Sequence, residues 1–94
     1  MKPYESFLEK YVTVMTTNDK LIYFGRLYTV TDSTLVLSPG KSHTGFNYDD
    51  RCRAEYHKEK LYHDPEIPRK EVLKGGTTIE LNLDHIVGVS DFNL

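Results

Sequence analysis

Leu21-Ile22-Tyr23-Phe24-Gly25-Arg26-Leu27-Tyr28-Thr29-Val30-Thr31 is a run of mostly aromatic, aliphatic and β-branched residues interrupted by a single glycine. Such side chains fit a pleated surface, so the run reads as one long strand. A glycine inside a strand pattern marks a bend or a close backbone approach. The spacing therefore predicts a strand that bends at Gly25 and serves both walls of a small closed barrel.

On the N-terminal side, Val12 and Val14 alternate with Thr13 and Met15, the period of a strand. Thr17-Asn18-Asp19-Lys20 is turn chemistry, because Asn and Asp tolerate left-handed geometry and bond to nearby backbone. Before it, Tyr4, Phe7, Leu8 and Tyr11 fall on one helical stripe, with Pro3 and Glu5 suited to a first turn. This predicts a short helix over residues 3–11, lying as a lid on one end of the barrel.

On the C-terminal side, Asp32-Ser33-Thr34 reads as a tight turn and Leu35-Val36-Leu37 as the next strand, ended by Ser38-Pro39-Gly40. Thr77 to Leu83 alternates with Ile79, Leu81 and Leu83 on one side. Asp84-His85 turns, and Ile86 to Ser90 closes the chain, while Lys74-Gly75-Gly76 reads as a bulge or turn before the pair. Between these blocks, residues 41–73 carry seven of the 12 Lys/Arg and seven acids, which cancel. An irregular connection of that length is unusual in a compact domain, which predicts a protruding hairpin, with Cys52, Ala54 and Tyr56 alternating along one strand. Disorder is the alternative for this segment.

The layout, helix, turn, long bent strand, turn, strand, insert and closing pair, resembles that of the Sm and Sm-like proteins, including bacterial Hfq. Val12, Val14, Asn18-Asp19, Gly25-Arg26-Leu27, Asp32, Leu35 and Leu37 resemble the first Sm motif (residues 12–37). Leu81-Asn82-Leu83-Asp84-His85-Ile86-Val87 resembles the second (77–92), leaving residues 38–76 as a variable insert. The resemblance implies one five-stranded, strongly bent, SH3-like barrel spanning residues 1–94. It also implies rings of about five to seven copies, built by edge-strand pairing. Thr77 to Leu83 and Ile86 to Val89 hold one acid, Glu80, and no proline or lysine that would block such pairing.

In that family two turns contact single-stranded RNA. Their counterparts here are Asp32, Ser33 and Thr34 in the first, and Asn82, Asp84 and His85 in the second. The match is incomplete. The first turn lacks the family's stacking residue and its asparagine, while Asn82 and Leu83 stand where the second motif has Arg-Gly. His85 falls where Hfq-type proteins also carry a histidine.

Composition bounds the other classes. The 94 residues are 38% hydrophobic and 28% charged, with net charge −2 and pI near 6.0. That is no footprint for broad duplex binding, though it leaves room for a few stacked single-stranded bases. A domain this small has a limited core, and with Cys52 as its sole cysteine no disulfide supplements it, so self-association is expected to. The lone cysteine and the charged N-terminal stretch point to the cytoplasm rather than secretion. No apolar stretch approaches the roughly 20 residues of a membrane span.

Catalysis and cofactors are not expected. His43, His57, His63 and Cys52 share the insert with acids but lack close ligand pairs, so a solvated polar hairpin outweighs a zinc site. Cys52 sits between Arg51 and Arg53, which alternation places on the opposite face, and it reads as an inert thiol. Arg51, Arg53, Tyr56, His57, Lys58, Lys60, Tyr62 and His63 could stack and neutralise RNA, but Asp49, Asp50, Glu55 and Glu59 make a salt-bridged exposed face the stronger reading. The competing function is a structural or protein-interaction barrel without RNA, with the 41–73 hairpin as its partner surface.

Overall fold

The computed structural model describes residues 3–18, 20–38, 55–66, 69 and 78–92. The protein is mainly β. Its strands are β1 (Tyr11–Thr16), β2 (Leu21–Val30), β3 (Thr34–Ser38), β4 (Glu55–His57), β5 (Ile79–Asn82) and β6 (Ile86–Asp91). A short helix, α1 (Lys58–His63), follows β4, and 3-10 turns occupy Glu5–Phe7 and Leu83–His85. All ladders are antiparallel, in the order β5-β3-β2-β1-β6, with β4 also on β2.

This order forces the sheet to curl. Laid flat, β5 and β6 would stand four strand spacings apart, about 19 Å. Leu83–His85 joins them in four residue steps, which reach at most about 14 Å. The two ends of the sheet are therefore drawn toward each other, yet no ladder joins β5 to β6 among the described residues, and the sheet is open.

The curl encloses one core. Val12, Val14, Leu27, Leu35 and Leu37 are fully buried, and Tyr23, Val30 and Leu81 nearly so. On β2 the inward positions are Leu21, Tyr23, Gly25 and Leu27, at strict alternation. Then Val30 breaks the parity. The break is a bulge: Leu27 pairs with Leu37 but Thr29 with Val36, leaving Tyr28 as the extra residue, 45% exposed. Gly25 is buried within a continuous strand, and the irregularity falls three residues later. What changes at Gly25 is the neighbour: β4 lines Leu21 to Tyr23, and β3 takes over from Arg26. A second bulge at Val87 lets both Ile86 and Val89 reach the core.

Two expectations change. The helix over 3–11 is not formed: Tyr4 and Glu9 adopt left-handed φ of 61° and 68°, and only a 3-10 turn lies between them. Tyr11 starts β1 instead. Tyr4, Phe7 and Leu8 still pack on the core, as a lid would. In the insert, the described part does not extend β3. β4 pairs with β2, and Leu61 of α1 lies against Phe24 in a second apolar cluster on the outer face, with Tyr11, Ile22 and Phe92. The remainder of the expected hairpin, with His43, Cys52 and Ala54, lies outside the described residues, as do Pro39-Gly40, Lys74-Gly75-Gly76 and Thr77.

Candidate functional site

The six sequence-derived candidates come from two turns far apart in the chain, and the sheet brings them together. Thr34, the first residue of β3, stands opposite Asn82, the last of β5. The Leu83 N–H donates to the Ser33 carbonyl at 2.9 Å, tying one turn to the other. Asp32, Ser33, Asn82, Asp84 and His85 are exposed, and Thr34 is half-buried.

Each turn is stiffened from within. Thr31 Oγ1 accepts from the backbone N–H of Ser33 at 3.2 Å and of Thr34 at 2.9 Å, and lies 2.8 Å from Thr34 Oγ1. Thr31 N–H donates to the Thr34 carbonyl at 2.8 Å, closing the loop. In the second turn, Asn82 Oδ1 caps the 3-10 segment by accepting from Asp84 N–H at 2.9 Å. Capping explains why asparagine suits this position: its carbonyl oxygen satisfies a donor that the turn leaves orphaned. Among the described residues the Asn82 amide nitrogen has no partner, which leaves it to a ligand.

The chemical consequence follows from what these bonds consume. The backbone N–H groups of Ser33, Thr34, Leu83 and Asp84 all have internal partners, so these four are not free to cradle an anion. It offers side chains instead: two carboxylates, one amide NH2, one hydroxyl and one imidazole. That set can hydrogen-bond base edges, and an imidazole can stack on a base. Asp32 and Asp84 oppose close approach of phosphate.

Two contributors were missed by the sequence reading. Thr31 organises the first turn, and the signal was present as Thr-x-x-Thr spanning a turn. A third turn also joins, because Thr17 N–H donates to the His85 carbonyl at 2.8 Å. It is shaped by Asn18, whose Oδ1 accepts from Lys20 N–H at 3.1 Å. Lys58 N–H in turn donates to the Lys20 carbonyl at 3.0 Å, so two lysines meet at the start of β2, beside the turn that holds His85. Only the β4–β2 pairing reveals that juxtaposition.

Among the described residues no group of three or more His, Cys, Asp or Glu is placed to hold a metal ion. His43 and Cys52 of the weighed zinc set lie outside those residues. No helix among them is long and apolar enough to cross a membrane.

No protein-family model, no curated protein and no solved structure matches this chain. What stands is a small, mainly β protein with a curled antiparallel open sheet and a polar surface where its turns converge.

Proposed function

We propose that the chain is an Sm-like subunit that assembles with copies of itself into a ring and binds single-stranded RNA at the joined turns, without catalysis. The observation that carries this reading is the convergence of Asp32–Thr34 and Asn82–His85, far apart in the chain, at one surface. The strand order adds support. Among the described residues, β5 and β6 each have one edge without a ladder partner, and an edge of that kind is a template for β-addition. Pairing β5 of one copy with β6 of the next would repeat the joined turns once per subunit. Repetition raises effective concentration, so weak contacts per subunit become avid binding to one flexible strand.

In this reading His85 stacks on a base, Asn82 and Ser33 contact base edges, and Lys20 and Lys58 meet the backbone. The acidic residues disfavour phosphate, so the expected salt dependence is shallow. The test is fluorescence anisotropy of labelled oligo-uridine and oligo-adenine at low salt. Binding is expected, with His85→Ala weakening it about tenfold, in line with about 1–3 kcal/mol per stacked base. Absence of binding to every oligonucleotide would remove RNA and leave the second reading, a structural or protein-interaction barrel. That reading is favoured by one observation: Asp32 and Asp84 are both exposed on the joined turns.

A further inference from the structure

We propose that residues 3–10 form a strap that opens and recloses independently of the sheet, latched by Glu9 and Arg26 across a strained turn. Phe7 to Lys10 is a type II turn: Lys10 N–H donates to the Phe7 carbonyl at 3.0 Å, and Leu8 has φ −54°, ψ 137°. Glu9 follows at φ 68°, the position where this turn calls for glycine or asparagine. Tyr4, at the other end, has φ 61° and ψ 12°. These are the only non-glycine residues with positive φ among the described residues, and they bracket one three-residue 3-10 turn. Left-handed geometry in such residues persists only where surrounding contacts enforce it.

The enforcing contacts are one ion pair, two backbone hydrogen bonds to β2 and three apolar side chains on the core. Arg26 Nη1 lies 2.8 Å from Glu9 Oε2, with the two side chains 32% and 66% exposed. Glu9 N–H donates to the Leu27 carbonyl and Leu27 N–H to the Lys10 carbonyl, both at 2.9 Å. Tyr4, Phe7 and Leu8 are half-buried against the core, and no residue of the 3-10 turn is fully buried. A glycine at position 9 would fit the backbone. Glutamate there exchanges backbone ease for a charge pair to β2, so the segment is held by an interaction that salt weakens. Short length, left-handed backbone at both ends, no fully buried residue in the 3-10 turn and an exposed latch are the marks of a unit that opens before the rest.

Hydrogen exchange of the full chain, followed amide by amide, tests this. The Leu27 amide reports strap opening, because its partner is the Lys10 carbonyl; Leu35 and Leu37 amides report the sheet. The Leu27 amide is expected to exchange at least about tenfold faster than those two. Glu9→Ala should speed it a further two- to fivefold, roughly the reach of an exposed ion pair, and leave Leu35 and Leu37 unchanged. Added salt should do the same to the native chain and little to the variant. Glu9→Gly should exchange about threefold more slowly than Glu9→Ala, since glycine accepts the left-handed geometry. The proposal fails if the Leu27 amide exchanges as slowly as Leu35, or if Glu9→Ala and Glu9→Gly are identical and salt has no effect.

Discussion

The two faces of β2 make unlike cores. Inward, Tyr23, Leu27 and Val30 meet side chains from β1, β3 and β5, and five residues of that cluster are fully buried. Outward, Phe24 is the only buried member among the described residues, covered by Tyr11, Ile22, Leu61 and Phe92, with the Phe24 and Phe92 rings 5.1 Å apart at 57°. The inner core is made by the curl of the open sheet over its own concave face. The outer one exists because Leu61 of α1 and Phe92, just after β6, cover a face that would otherwise meet water. Burial on one side follows from topology, and on the other from accessory segments, so the two should respond differently to truncation.

The largest effect is expected for Leu27→Ala. Its side chain is 0% exposed, and removal of a fully buried leucine leaves a cavity costing about 3–4 kcal/mol, readable as a fall in the urea midpoint. Phe24→Ala is expected to cost less, about 2 kcal/mol, because the thinner outer cluster can collapse onto the gap. Leu61→Ala, on the covering helix, is expected to cost about 1 kcal/mol while making residues 58–63 more susceptible to protease. An ordering with Leu61 above Leu27 would overturn the distinction between a sheet-made core and an accessory one. Thr31→Ala leaves both clusters intact but orphans the Ser33 and Thr34 amides. About 1 kcal/mol of destabilisation is expected, together with weaker oligonucleotide binding in the anisotropy assay.

The inner core was readable from the sequence because alternation places residues on a face before any contact is known. Val12 and Val14, Leu35 and Leu37, and Ile79 and Leu81 all lie where period two puts them. The bulges at Tyr28 and Val87 were not readable, since each merely adds one residue to an otherwise regular run. Glycine is the visible irregularity of β2 and falls where its neighbour changes from β4 to β3, whereas the register slip three residues later has no marker residue. The N-terminal segment misled for a related reason. Its helical stripe at Tyr4, Phe7 and Leu8 does face the core, but a tighter 3-10 turn and two left-handed residues deliver those side chains. The outer cluster left a trace that went unused: Ile22 and Phe24 are large apolar residues on the face opposite Tyr23 and Leu27, which implies a cover. The candidate turns were located correctly as turns, but their joining by Leu83 and Ser33, and the arrival of Thr17 and Lys58, depend on non-local pairing that no local pattern encodes.

Self-pairing through the two terminal strands is the claim most open to direct attack, and absolute mass in solution by light scattering tests it. The account predicts one species at about five to seven times the 10.9 kDa chain mass. It also predicts that Val87→Lys, at a residue 66% exposed on β6, reduces that species to monomer with a stability change within about 0.5 kcal/mol. A native chain that scatters as a monomer across the accessible concentration range would contradict it.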